Sequence, residues 1–170
     1  MSETVHATAF PRGVGGGSGG RAPQPGLAQV AELVARSGDP GLHVDYELVE
    51  QGGDLEAVPA SIGLAVYRIV QESLTNVRRH SSAHRASVVV RIGTSYVEAE
   101  ILDNGRPKGA TSGSGLGHLG IRERIASLNG SAEIGPRITG GYRVRVRFPL
   151  TAAAAAPGDP GPARARQGDR

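Results

Sequence analysis

The sequence has no cysteine and no tryptophan, and it contains a single methionine and only six tyrosine and phenylalanine residues among its 170. The lack of cysteine excludes a disulfide framework and a thiolate metal site. The small number of aromatic residues leaves few platforms on which nucleic-acid bases could stack. No run of about 18 apolar residues is present, so no segment is predicted to cross a membrane. The first 20 residues also lack the apolar stretch of a signal peptide. We therefore expect a cytoplasmic protein without membrane contact.

The charge is modestly positive, with 19 basic and 16 acidic residues and a net charge of +3 at pH 7. This excess is spread evenly over residues 1–26, 27–150 and 151–170. No segment has the clustered basic character of a nucleic-acid-binding surface. We expect no nucleic-acid partner.

The two ends of the chain differ in composition from its middle. Residues 1–26 form a head rich in glycine and proline, and residues 151–170 form a tail rich in alanine, proline and glycine. Neither end shows an apolar period that could offset the entropy of ordering it, so both are predicted to be disordered. Residues 27–150 remain as one domain, which is long enough to bury a core.

Hydrophobic periodicity in the middle segment predicts alternating helices and strands. The predicted helices are 27–37, 60–80 and 119–128, the strands are 43–50, 86–93, 96–103, 131–135 and 142–150, and 104–118 is a loop. A tight turn at 93–95 predicts an antiparallel hairpin, and the final strand alternates apolar residues with arginines. The expected fold is α/β: a two-layer sandwich in which helices cover one face of a mixed, mostly antiparallel sheet, the other face meeting solvent.

Four polar residues lie along one arc of the long helix: Glu72, Asn76, Arg79 and His80. This arc flanks the apolar stripe, so it would lie at the rim of the core, where a pocket could open. The alternative is a solvated helix face whose basic last turn suits the helix dipole.

Asp103 shares strand parity with Val97 and Ile101, so its side chain is predicted to point towards the buried face. A carboxylate at the floor of a pocket suits an exocyclic amino group, such as that of adenine. Gly105 would then let a ligand approach the backbone. The alternative is that Asp103 only begins an Asp-Asn-Gly turn.

Glycines at positions 113, 115, 117 and 120 run directly into the third predicted helix. Bare amide groups ahead of a helix can bind an anion such as phosphate. The G-x-G-x-x-G spacing does not indicate a dinucleotide fold, because residues 104–114 cannot form the strand that must precede it. The further motifs of a protein kinase are also absent from the sequence.

Together these segments resemble, in their order along the chain, the ATP-binding catalytic domain of sensor histidine kinases. That domain has the GHKL or Bergerat fold, which is shared with gyrase, Hsp90 and MutL. Residues 67–80 are similar to the N box and most of all to that of the NarL/DesK-type kinases. Residues 103–106 resemble the first glycine box, 115–124 the second, and 140–146 the last box with its strand.

The resemblance implies that the chain binds ATP and Mg²⁺. Asn76 would bind the metal ion, and Glu72 would order the magnesium shell or assist the acceptor nitrogen as a catalytic residue. The other residues implied to bind ATP are Arg79, His80, Asp103, Gly105, Gly115, Leu116, Gly117, His118 and Leu119.

The resemblance also gives these residues separate roles. Asp103 would take the adenine amino group, and Gly105 would admit the ring. Arg79 and His80 would contact the phosphates, and 115–119 would cradle them beneath a mobile lid formed by residues 105–118. Such a division suits phosphoryl transfer, which depends on positioning and charge neutralisation.

Three features depart from the pattern of the resembled family. Pro107 and Lys108 intervene before the next glycine of the first box, and Tyr142 stands where many relatives have a small hydroxyl residue. No phosphoacceptor helix with a His-Asp pair precedes Leu27. We therefore expect a monomeric catalytic module of a two-component system. Its acceptor histidine would lie on another domain, acting in trans or missing from this chain, and it would reach a response regulator only indirectly.

Two alternatives stay open from the sequence. One is a stand-alone serine kinase of the anti-sigma-factor type, which has the same fold and lacks acceptor helices. The other is a non-catalytic, nucleotide-binding interaction domain, which the altered first glycine box permits. Nucleotide titration separates the interaction domain from the two kinases. The acid lability of the phosphorylated product separates the two kinases from each other.

Overall fold

A computed structural model of the chain describes residues 24–108 and 115–150, with only the backbone described for 115–119. The predicted tail and nearly all of the predicted head lie outside these residues. Two 3-10 turns are present, at Leu27–Gln29 and Leu55–Ala57. The helices and strands are α1 (Val30–Ser37), β1 (His43–Gln51), α2 (Ala60–His80), β2 (Arg85–Gly93), β3 (Tyr96–Asp103), α3 (Gly115–Ala126), β4 (Ser131–Pro136) and β5 (Tyr142–Pro149).

The five strands form one sheet in the order β1-β2-β3-β5-β4. β1 runs parallel to β2, and every other neighbouring pair is antiparallel. A parallel pair needs a crossover connection, and α2 supplies it. The predicted mixed sheet and the β2–β3 hairpin are both confirmed.

Helix α2 begins at Ala60, as the sequence predicts. The carbonyl of Pro59 accepts hydrogen bonds from the amides of Ile62 and Gly63, both at 3.0 Å, and these bonds start the helix. Pro59 itself occupies the N-cap position. The whole predicted stripe of α2 is buried: Ile62, Ala65, Val66, Ile69, Val70, Ser73, Leu74 and Val77. This stripe packs on the inner side of the sheet and forms much of the core. The same side of α2 also meets the ends of β3 and β5.

The outer face of the sheet differs from the prediction at one residue. Glu98 points away from the helices as expected, yet it is only 3% exposed. Arg91 on β2 and Arg147 on β5 are its register partners, and Arg91 and Arg145 lie 3.2 and 2.9 Å from its carboxylate oxygens. Arginine stems from the neighbouring strands therefore cover this carboxylate while their charges pair with it.

Helix α3 begins at Gly115, so the prediction of a loop as far as residue 118 was wrong at this end. Ile121 and Ile125, one turn apart, are buried in the core, and this packing outweighs the weak helix propensity of the glycines. The helix ends at Ala126, two residues before its predicted end. Asn129 adopts a left-handed conformation with φ of 53°, and the amide of Gly130 donates to the carbonyl of Ile125 at 2.9 Å. Asn129 and Gly130 thus close the helix, with the left-handed residue and the backbone hydrogen bond that are common at helix C-termini.

Candidate functional site

A cavity of about 240 Å³ opens between the C-terminal half of α2 and the adjoining ends of β3 and β5. Apolar side chains form most of its wall, and a few polar groups converge on it. Its lining residues are Ser73, Asn76, Val77, His80, Ser81, Ile101, Asp103, Gly105, Arg106, Pro107, Pro136, Gly141, Tyr142 and Val144. This combination is typical of a site for a small organic ligand.

Asp103 lies in this cavity with 7% of its surface exposed, so the inward direction predicted from strand parity is confirmed. Its Oδ1 accepts one hydrogen bond from the Ser81 hydroxyl and another from the Gly105 amide, each at 2.9 Å. No donor among the described residues reaches its Oδ2. The Asp103 side chain therefore closes the Asx turn of the alternative interpretation through one oxygen, and its other oxygen accepts no hydrogen bond from the described residues.

The end of α2 and the loop after β3 form one hydrogen-bonded frame around this carboxylate. The amide of Ser82 donates to the carbonyl of Arg106 at 2.9 Å, and the amide of Arg106 donates to the Ser82 hydroxyl at 3.0 Å. The amide of Lys108 donates to the carbonyl of His80 at 2.7 Å. The first residues of the predicted lid are thus fastened to the helix.

Packing against residues 81–83 already requires glycine at position 105. A Cβ atom at this position would overlap the Ser81 hydroxyl and the Ala83 backbone. Gly105 also lines the cavity, and its predicted role in admitting a ligand stays a prediction.

Two of the four polar residues predicted on α2 line the cavity, namely Asn76 and His80. Glu72 and Arg79 do not line it. Positions 73, 76, 77 and 80 form a single helical face, and Glu72 and Arg79 lie roughly 100° around the helix from its centre. Those two side chains therefore flank the cavity.

Ser73 is a feature of the site that the sequence reasoning missed. It is 3% exposed and lines the cavity, and its hydroxyl has no hydrogen-bond partner among the described residues. Two other helical hydroxyls, those of Ser37 and Thr75, donate to the carbonyl four residues earlier at 2.7 and 2.8 Å. The sequence did contain a signal for this residue, because Ser73 is a hydroxyl residue within an otherwise apolar helical stripe. A buried polar group without a partner marks a place where a ligand or a water is expected.

Tyr142 and Gly141 bring β5 against Asp103. Tyr142 is the register partner of Asp103 and lines the cavity beside it. Burial raises the pKa of the Tyr142 phenol, the Arg122 guanidinium opposes the rise, and the Asp103 carboxylate adds to it. Gly141 has φ of 83°, and a Cβ atom there would overlap the carbonyl oxygen of Asp103. The two strands can therefore meet here only with glycine at this position.

The predicted phosphate segment is described in part. Residues 115–119 form the first turn of α3, so their amides lie at a helix N-terminus. The side chains of residues 116, 118 and 119 lie outside the described part of the chain, as do residues 109–114 of the predicted lid. The phosphate contacts of Gly115, Leu116, Gly117, His118 and Leu119 therefore stay predictions. Arg106 is exposed and is the one arginine or lysine among the described residues that line the cavity.

Among the described residues, no group of three or more His, Cys, Asp or Glu side chains could hold a metal ion by itself. The amide of Asn76 is an oxygen donor in the cavity wall. Mg²⁺ commonly binds one or two protein oxygens and takes its remaining ligands from phosphates and water. The residues present therefore fit a magnesium ion that arrives with a nucleotide. No helix in the described ranges is long and apolar enough to span a membrane.

Relatives in sequence match about two thirds of the chain. A sensor histidine kinase, YxjM of Bacillus subtilis, is 32% identical over 110 residues, which cover 65% of this chain and 26% of that protein. The histidine-protein kinase/phosphatase DegS of Brevibacillus brevis is 30% identical over 114 residues, covering 65% of this chain and 28% of its own length. The chain thus spans little more than a quarter of these relatives.

Solved structures share its fold. The histidine kinase domain of a blue-light activated kinase from Erythrobacter litoralis superposes with a TM-score of 0.53 at 20% identity, covering 77% of this chain and 66% of that one. The histidine kinase domain of the E. coli osmosensor EnvZ gives a TM-score of 0.53 at 18% identity, covering 90% of this chain and 98% of that one. These two likenesses confirm the predicted two-layer fold.

A family model described as histidine kinase-, DNA gyrase B-, and HSP90-like ATPase matches residues 62–152, just over half of the chain. The matched segment begins in α2 and contains Asn76, His80, Asp103 and Tyr142, so it includes the polar groups of the cavity. The resemblance drawn from the spaced motifs is thereby confirmed. The chain belongs to the family of histidine kinase-, DNA gyrase B- and HSP90-like ATPases.

Proposed function

We propose that this domain binds Mg²⁺-ATP in the cavity between α2 and β3 and acts as the catalytic module of a cytoplasmic sensor histidine kinase. It would supply the γ-phosphoryl group to a histidine on a phosphoacceptor domain, and through that histidine serve a response regulator. The observation that carries the proposal is the convergence of Asp103, Asn76 and His80 on one cavity. The sensor-kinase names of the relatives give it further support.

The base would enter between apolar walls formed by Val77, Ile101 and Val144. The Oδ2 of Asp103, which accepts no hydrogen bond from the described residues, would accept one from the exocyclic amino group of adenine. A buried acceptor of this kind rejects a base that presents a carbonyl, because two acceptors would then face each other. The carboxylate would therefore select for adenine.

The phosphates would leave the cavity past His80 and Arg106 towards the N-terminus of α3. Arg106 supplies a positive charge and the helix end supplies free amides. Asn76 would hold Mg²⁺ through its amide oxygen, and the ion, when bound, neutralises charge on the phosphates. Arg79, Gly115, Leu116, Gly117, His118 and Leu119 remain predicted phosphate contacts.

Glu72 lies one turn before Asn76, outside the cavity lining and half-buried. We propose that it meets the acceptor domain at the mouth of the site. A nitrogen of the acceptor imidazole would bond to the γ-phosphorus while the bond from that phosphorus to the bridging oxygen breaks and ADP leaves. Glu72 would take the proton that the imidazole gives up.

Incubating the domain with γ-labelled ATP, Mg²⁺ and a supplied histidine kinase dimerisation domain tests this proposal. We expect label on the acceptor that is lost in acid and retained in base, as for phosphohistidine. Acid-stable label on serine would favour the anti-sigma-type kinase instead. Nucleotide binding with no transfer to any acceptor would favour the non-catalytic domain.

A further inference from the structure

We propose that Ser81 is a positioning residue that orients the Asp103 carboxylate and thereby sets the preference for a base with an exocyclic amino group. This inference rests on the proposed function, because it concerns the same cavity. Ser81 is the first residue after α2 and lies 22 positions before Asp103 in the sequence. The sequence alone did not indicate that Ser81 belongs to the site.

The hydrogen bonds around Ser81 have a fixed direction. Its hydroxyl oxygen accepts from the amide of Ala83 at 3.1 Å, and a backbone amide can only donate. The hydroxyl has a single hydrogen, and Asp103 Oδ1 lies 2.9 Å away. The hydrogen of Ser81 therefore points to the carboxylate. Backbone amide, hydroxyl and carboxylate thus form a chain of hydrogen bonds with a single direction, which ends on Asp103 as the acceptor.

The donors also make the two carboxylate oxygens unequal. Oδ1 takes both the Ser81 hydroxyl and the Gly105 amide. These two donors come from different segments, the end of α2 and the loop after β3, so together they fix the plane of the carboxylate. Oδ2 is then the one oxygen left to accept a hydrogen bond from a ligand in the cavity.

Loss of the Ser81 hydroxyl would leave Gly105 as the single donor to Asp103 among the described residues. The terminal torsion of an aspartate is broad, so the carboxylate could turn away from the productive plane. This turn would weaken the binding of adenine. It would also reduce discrimination against hypoxanthine, which carries a carbonyl where adenine carries its amino group.

Calorimetric titration of ADP and of inosine diphosphate, both with Mg²⁺, tests the proposal on four proteins. These are the unmodified chain, Ser81→Ala, Ser81→Thr and Ser82→Ala. Ser82 is the matched control, because its hydroxyl binds the amide of Arg106 in the same frame and does not touch Asp103. Thermal melts establish that each variant is folded.

We expect Ser81→Ala to lose about 5- to 20-fold in ADP affinity and to lower the ratio of ADP to inosine diphosphate affinity. Ser81→Thr should restore both quantities, and Ser82→Ala should keep the ratio of the unmodified chain. An unchanged ratio in Ser81→Ala would overturn the positioning role while leaving nucleotide binding intact. Equal losses in Ser81→Ala and Ser82→Ala, with the ratio preserved, would assign both hydroxyls to loop anchoring only. Failure of the unmodified chain to bind either nucleotide would instead reject the proposed function itself.

Discussion

Two carboxylates among the described residues are almost fully buried, and their hydrogen-bond partners indicate different roles. Glu98 pairs with arginines from both neighbouring strands. Asp103 has only neutral donors, a hydroxyl and an amide, and forms no ion pair within the described ranges. Burying a charge costs free energy unless the charge is paired, and Glu98 is paired. We therefore assign Glu98 a structural role. Asp103 keeps an oxygen for a ligand.

Replacing Glu98 by alanine should destabilise the fold by about 1–3 kcal/mol. The expected loss is smaller than for a fully buried pair, because the arginine side chains are 29–51% exposed and water screens their charges. Urea denaturation measures it. Glu133→Ala is the control, since the Glu133 side chain is 61% exposed and its pair with Arg143 should contribute little. Equal losses for the two variants would contradict this account of Glu98.

Replacing Asn76 by alanine should lower Mg²⁺-dependent transfer to a supplied acceptor by about 100-fold or more, with a much smaller loss in nucleotide affinity. The amide oxygen is proposed to hold the metal, and the base contacts lie elsewhere in the cavity. Label transfer and calorimetry measure the two quantities. Thr75→Ala is a neighbouring control, because Thr75 bonds to the carbonyl of Gln71 and does not line the cavity. Unchanged transfer in Asn76→Ala would reject the metal-binding role.

At the scale of elements, the site depends on the close meeting of α2, β3 and β5. Helix α2 is fastened to the loop after β3 by the three hydrogen bonds of residues 80–82. β5 reaches the end of β3 through the turn at Gly140 and Gly141, both of which have positive φ. The position of the Asp103 carboxylate is thus set by three separate segments.

Gly141→Ala should cost about 1–3 kcal/mol of stability and also weaken nucleotide binding. The new Cβ atom would combine an unfavourable φ of 83° with overlap of the Asp103 carbonyl. Gly140→Ala separates these effects, because its φ is 88° and no atom lies within 4 Å of the added Cβ. Urea denaturation and ADP titration of both variants provide the comparison. If Gly140→Ala weakened binding as much as Gly141→Ala, the contact with Asp103 would not be the cause.

The elements were predictable wherever periodicity was strong. The bounds of α2 agree with the sequence at both ends, and the inward parity of Asp103 followed from β3 alone. The sequence predicts α3 from residue 119 onwards, but its start at Gly115 was not predictable, because the glycines of the first turn favour a loop. Local pattern also gave no sign of the bond from Ser81 to Asp103, since it joins residues 22 apart in the sequence.

At the scale of the whole molecule, the described chain is a sheet with helices on one face and a charged outer face on the other. The cavity lies at the end of the sheet where α2, β3, β5 and the loop after β3 meet. The chain covers 26–28% of the length of the two sensor kinases compared. The function proposed for it is therefore that of one module, which binds the nucleotide and presents it to an acceptor.

The central claim is that Asp103 recognises adenine in this cavity, and calorimetric titration of ATP into the unmodified chain and Asp103→Asn tests it most directly. An asparagine keeps the shape of the side chain and can still accept from Ser81 and Gly105, but its amide nitrogen would face the amino group of the base. We predict binding of ATP by the unmodified chain in the micromolar to millimolar range. We predict a loss of about 10-fold or more in the variant, with little change in its thermal unfolding. Equal ATP affinity for the two proteins would contradict the account.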